Sequence, residues 1–184
     1  MCENQQIDHQ NILRILPPNV LYYNKYGSYA GIVMIHQPCI KELQIQGTTK
    51  KPVKCKYHFP YLVVLLNNNK DLKLYFAYEQ PGNKTALYRP MLPNFGGSAT
   101  MCYGNIKKPD FSTLSFDQLQ KAVWDCVFGG IFTNHSNENA YQEMIKGVVT
   151  KWSKLSKDLT IMGKLKEVVN MDITEGKLDL FRTW

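Results

Sequence analysis

The stretch YLVVLLNNNKDLKLYFAY, residues 61 to 78, leaves this chain the least freedom. Apolar residues run without a break from Tyr61 to Leu66, a polar tip follows at Asn67-Asn68-Asn69-Lys70-Asp71, and Leu72, Leu74 and Phe76 then form an alternating apolar set. A polar tip between two such runs reads as two antiparallel strands joined by a tight turn. The hairpin is expected to bury one face. Something must cover that face, and the helical patterns all come later in the chain.

The sequence before the hairpin is read as strands. NVLYYNKYGSYAGIVMIHQP reads as strand, turn at Gly27-Ser28 and strand, closed by Pro38. In LQIQGTTKKPVKCKYHF, Gly47 and Pro52 predict a short strand and a loop. After the hairpin, EQPGNKTALYRPMLPNFGG holds three prolines and three glycines, which forbid long regular structure and send the chain over the surface. Ser115 with Gln118 predicts a capping box, and Leu119, Ala122, Val123, Cys126 and Val127 recur at helical spacing until Gly129-Gly130. That spacing makes Cys126 a core residue. Asn137 or Asn139 can cap a second helix carrying Tyr141, Met144, Ile145, Val148, Val149, Trp152 and Leu155 on one face. A weaker helical pattern (Ile161, Leu165, Val168, Val169) follows Asp158. Strands first and helices after predict an α+β fold, an antiparallel meander sheet with helices packed on it. Residues 1–184 are expected to form a single domain, with 1–15 a loose N-terminus and 140–184 a helical C-terminal extension.

Composition narrows the function classes. Five cysteines without a CxxC pair and four scattered histidines signal neither a disulfide framework nor a zinc site, so reduced, cytoplasmic thiols are expected. The longest apolar runs fall far short of the ~20 residues of a membrane span, and no leader pattern opens the chain, so a soluble protein is expected. The net charge of +7 suits a polyanionic partner, but Lys146, Lys151, Lys154, Lys157, Lys164 and Lys166 are spaced as the wet side of helices. No GxSxG, GxxxxGK, HExxH or paired-carboxylate pattern is present, which leaves hydrolase, NTPase and metalloprotease readings without support.

The candidate chemistry sits at the junction of strands and helices, in LPNFGGSATMCYGNI, residues 92 to 106. A thiol acts as nucleophile or acyl carrier only as its thiolate, and acyl transfer needs a donor for the oxyanion. Cys102 can supply the first and the uncharged amide of Asn94 the second, with Gly96 and Gly97 allowing a tight reversal between them. The alternatives are a small hydrophobe in a strand Met101-Cys102-Tyr103 and a turn former after Pro93. His135, in the polar FTNHSN loop, is a third candidate, with a structural histidine as its alternative; His36 and His58, in or beside strands, read as structural.

This stretch resembles the active-site segment of ubiquitin-conjugating enzymes, in which His-Pro-Asn is followed after seven residues by the thioester cysteine; Pro93, Asn94 and Cys102 keep that spacing. LYY at 21–23, LKLYFAY at 72–78, TALYRP at 85–90, Cys102-Tyr103-Gly104 and IFTNH at 131–135 are similar, in order and spacing, to the prokaryotic conjugating-enzyme-like group, family D, PRTRC system protein B-like. The likeness spans about residues 20 to 137. Leu92 stands where the family has histidine, the tail after residue 140 has no clear counterpart, and no acidic residue beside Cys102 offers itself as a base for an incoming lysine.

The resemblance implies a conjugating-enzyme-like fold, Cys102 as the thioester-forming nucleophile and Asn94 as the oxyanion-stabilising side chain. It implies two partners, a ubiquitin-like protein and a ThiF- or ubiquitin-activating-type adenylating enzyme. No metal or organic cofactor is required, because the adenylation belongs to that partner. Two other readings stand beside it. One is a non-catalytic protein-binding module on the same fold, a mobile-element or phage accessory protein. The other is a basic nucleic-acid-associated protein, which no motif supports.

Overall fold

The computed structural model describes residues 17–26, 29–47, 51–67, 71–104, 106–133, 136–145 and 160–173. Along the chain lie β1 (Val20–Tyr26), β2 (Tyr29–His36), β3 (Cys39–Gln46), β4 (Pro52–Phe59), β5 (Tyr61–Asn67), β6 (Asp71–Ala77), β7 (Ala86–Tyr88), α1 (Phe116–Phe128), β8 (Ile131–Phe132), α2 (Glu138–Ile145), β9 (Ile161–Lys164) and α3 (Leu165–Ile173). The hairpin forms as its pattern requires, with β5 and β6 antiparallel from Tyr61 opposite Ala77 to Asn67 opposite Asp71. It lies at the centre of a six-stranded antiparallel sheet ordered β1-β2-β5-β6-β7-β9. A second sheet, β4-β3-β8, adds a parallel pairing of β3 with β8, Gln44 opposite Ile131. The fold is α+β.

The hairpin buries two faces rather than the expected one. Leu62, Val64 and Leu66 point into a core shared with α1, β3 and β4, while Val63 and Leu65 point to the other side, against Leu165, Val168 and Val169 of α3. The unbroken apolar run of β5 reflects this, because a strand covered on both faces has no position to spare for a polar side chain. Each fully buried aliphatic side chain contributes about 1.5–3 kcal/mol, and all five of these are inaccessible to solvent.

Two other segments differ from the sequence reading. LQIQGTTKKPVKCKYHF holds the second half of β3 and the whole of β4, two eight-residue strands, and not a short strand and a loop. Cys55, Tyr57 and Phe59 are buried and alternate with the outward Lys54, Lys56 and His58, and Pro52 opens the strand, where a missing N–H is tolerated. In the C-terminal segment Leu165, Val168 and Val169 lie on a helix, but Ile161 belongs to β9, which pairs antiparallel with β7 at the sheet edge. Sheet pairing and a φ of +131° at Gly163 interrupt the helical spacing there.

Helix α1 carries the predicted capping box: Ser115 Oγ accepts from Gln118 N at 3.4 Å, and Gln118 Oε1 accepts from Ser115 N at 2.9 Å. Its buried residues are Leu119, Val123, Cys126 and Val127. Phe59 joins the layers, with its ring 5.3 Å from Phe128 of α1 and 6.2 Å from Phe76 of β6. His36 packs edge-on against Trp124 at 5.1 Å and Phe128 at 5.6 Å, a packing role. Asn137 caps α2 by accepting from Ala140 N at 3.1 Å, and Tyr141 Oη donates to Gln46 O at 2.6 Å, fastening α2 to the end of β3. The expected turn at Gly27-Ser28 and Val148, Val149, Trp152 and Leu155 lie outside the described residues, as do residues 1–16. No described helix is long and apolar enough to cross a membrane.

Candidate functional site

The loop that brings Asn94 and Cys102 together is a small ladder built on the free edge of β6. Since β5 occupies one edge of β6 along its length, the segment 99–101 must take the other, the edge that β7 uses further along. There Met101 N donates to Leu72 O at 2.8 Å, Leu74 N donates to Ala99 O at 3.0 Å, and Lys73 is bridged to Thr100. Residues 95–101 then fold back on themselves, with Phe95 bridged antiparallel to Met101. Phe95 and Met101 both enter the core.

The residues flanking that bridge on its outer side are Asn94 and Cys102. Cys102 N donates to Asn94 O at 2.7 Å, and the flanking bond from Gly96 N to Thr100 O is 3.2 Å. Asn94 and Cys102 are thus joined by one backbone hydrogen bond at the end of the Phe95–Met101 bridge. Cys102 is exposed, whereas Cys55 and Cys126 are buried and Cys39 is half-buried.

The reversal between them does not depend on Gly96 and Gly97 as the sequence suggested. Neither has a positive φ; the left-handed residue is Ala99, at φ 59° and fully buried. An L-residue there costs roughly 1–2 kcal/mol, offset by the bonds that pin Ala99 to β6 and by its buried methyl group. After Cys102 the chain turns at Gly104, φ 53°, and Ile106 N donates to Tyr103 O at 2.7 Å.

Asn94 is 4 % exposed, and its amide has a defined orientation. Oδ1 accepts from the backbone N–H of Thr133 at 3.2 Å, just beyond β8. A backbone N–H must face an acceptor, so the oxygen is the atom turned to Thr133 and Nδ2 is turned away from it. Among the described residues Nδ2 has no acceptor. Leu92, where the resembling family has histidine, is fully buried, and its carbonyl accepts from Phe95 N at 3.2 Å. Tyr57 Oη donates to Met91 O at 2.9 Å and fixes the entry to the loop. Burial pushes the Tyr57 phenol well above its ordinary range, so it stays a donor.

On the far side of Cys102, Lys108 Nζ lies 5.5 Å from the ring of Tyr103. Burial pushes the Tyr103 phenol well up, and among the described residues its hydroxyl has no hydrogen-bond partner. Burial likewise pushes the Cys126 thiol up to about 11, with Asp125 adding to the effect, as fits a packing cysteine. Cys39 and Cys55 are raised by burial too, Cys39 against the opposing pull of Lys41. His135 lies outside the described residues, as do Lys146, Lys151, Lys154 and Lys157. Thr133, Gly130 and Ile106, which touch Asn94 or one another, carried no sequence signal beyond their place near a strand and two turns. Among the described residues no three His, Cys, Asp or Glu side chains are grouped to hold a metal ion.

The model of one protein family, described as prokaryotic E2 family D, matches residues 1–164 of the chain. That match is longer than the likeness legible in the sequence, since it takes in the N-terminal residues and runs to the last residue of β9, past the point where the tail had no clear counterpart. No curated protein and no solved structure matches the chain.

Proposed function

The chain belongs to prokaryotic E2 family D, and from that membership we propose that it carries a ubiquitin-like modifier as a thioester on Cys102 and passes it to an amine. The observation that carries the reading is an exposed thiol on a residue whose backbone N–H bonds the carbonyl of Asn94, with the Asn94 amide oriented by Thr133. An adenylating enzyme of the ubiquitin-activating type supplies the modifier as its own thioester. The Cys102 thiolate attacks that carbonyl, the new C–S bond forms, and the enzyme's thiolate leaves. An amine then attacks the Cys102 thioester. Its oxyanion receives a hydrogen bond from Asn94 Nδ2, the amide bond forms, the Cys102 thiolate departs, and the amine's surplus proton passes to solvent.

One observation favours a second reading, a protein-binding module without activity: Asn94 is buried and its oxygen is spent on tethering Thr133. The test mixes the full chain with the cognate activating enzyme, its ubiquitin-like protein and ATP. A thiol-labile adduct is expected on the wild type and none on Cys102→Ala. An adduct that forms equally on Cys102→Ala removes Cys102 from the role, and no adduct on either favours the binding module.

A further inference from the structure

The amide of Asn94 is bounded on its nitrogen side as well as its oxygen side. A methyl group placed on Gly130 would come 4.0 Å from Asn94 Nδ2 and, more sharply, 2.3 Å from Cδ1 and 2.7 Å from Cγ1 of Ile106. Carbon atoms rest about 3.5–4.0 Å apart, so Ile106 already occupies the space a side chain at 130 would need. Among the described glycines only Gly104 and Gly163 have positive φ, so the demand at Gly130 is for room and not for an unusual backbone. The segment 130–133 thus meets both ends of the amide, Gly130 beside Nδ2 and Thr133 N–H on Oδ1. Ile106 comes from the turn that immediately follows Cys102, so one side chain links the thiol's own loop to the wall behind Asn94.

We infer that Gly130 and Ile106 are a positioning pair for acyl discharge: Ile106 seated on the bare backbone of Gly130 sets where the Asn94 amide donor stands relative to the Cys102 thioester. The inference rests on the acyl-carrier reading. Loading exchanges one thiolate for another, whereas discharge adds a neutral amine and builds up the oxyanion, so discharge leans more heavily on the donor. A shift at this contact therefore slows the second step and spares the first.

The test uses the full chain and a small acyl donor, the N-acetylglycine thioester of 2-mercaptoethanesulfonate. The Cys102 thiolate attacks its carbonyl and expels mercaptoethanesulfonate; free lysine then takes the acyl group as an amide and releases the thiolate. Both steps are followed by intact mass, and the exchange rate of the Thr133 amide hydrogen is read separately. Gly130→Ala should load as the wild type does but discharge about 10- to 100-fold more slowly, with faster Thr133 exchange. Gly130→Ala with Ile106→Ala, in which the new methyl enters the vacated space, should recover discharge to within roughly 3-fold of the wild type. Ile106→Val adds no atom, removes Cδ1 alone and should slow discharge by about 3-fold, which keeps the contact testable if Gly130→Ala does not fold. Gly130→Ala that loads and discharges like the wild type overturns the inference, as does a double variant as slow as Gly130→Ala. A wild type that takes no acyl group on Cys102 overturns the acyl-carrier reading itself, a failure told apart by the absence of loading.

Discussion

Asn94 has two separable jobs in this structure, and two substitutions pull them apart. Asn94→Ala removes the acceptor for Thr133 N–H and the Nδ2 donors together. A backbone N–H left without an acceptor costs about 1–3 kcal/mol, and in a chain of this size each kcal/mol lowers Tm by roughly 2–4 °C, so a fall of about 2–12 °C is expected. Loss of one oxyanion donor slows discharge to lysine by about 100- to 1000-fold. Asn94→Asp has nearly the same shape and keeps an oxygen facing Thr133 N–H, but ionised it donates nothing and sets a negative charge where the oxyanion develops. It should therefore discharge at least as slowly as Asn94→Ala while keeping Thr133 protected from hydrogen exchange. Single-turnover discharge of the loaded chain, read beside exchange at Thr133, checks both jobs at once. If Asn94→Asp discharges at the wild-type rate while Asn94→Ala is slow, Asn94 is only a tether and the donor argument is wrong.

Three further outcomes follow from burial. Alkylation of the native chain at neutral pH, mapped by peptide, should modify Cys102 well before Cys55 and Cys126; equal rates at Cys102 and Cys126 would contradict the packing described above. The Cys126 thiol stands at about 11 when folded against an ordinary 9.0, so the folded chain holds its proton longer, and stability should decline as pH rises from about 9 to 11, a decline blunted in Cys126→Ala. Val169→Ala, on the α3 face that covers β5, should cost about 2 kcal/mol and lower Tm by roughly 4–8 °C. An unchanged melting curve would mean that α3 does not seal that face.

How much of this was legible depended on whether the signal was local. The β5–β6 hairpin, the Ser115–Gln118 box and the burial of Cys126 were written in adjacent residues. The β3–β4 pair is masked by Gly47 and Pro52, which punctuate the stretch although Cys55, Tyr57 and Phe59 alternate with Lys54, Lys56 and His58. Ile161 stands at helical spacing from Leu165, and only pairing with β7 makes it a strand. At the site, the spacing of Asn94 and Cys102 was visible, and their adjacency follows from the Phe95–Met101 bridge. The left-handed Ala99 was not visible, since a neighbouring glycine pair is the ordinary place to look for a reversal. Nor was Thr133, which is 39 residues from Asn94 and meets it through a backbone group that any residue would supply.

The parallel pairing of β3 with β8 gives the protein an order of assembly. A ribosome that has synthesised as far as α1 has already made the loop bearing Cys102, yet the strand that brings Thr133 beneath Asn94 has not been made, and its register is set on a strand completed far earlier. The nascent thiol is thus present before its surroundings are, and it acquires its neighbours only when the second sheet closes.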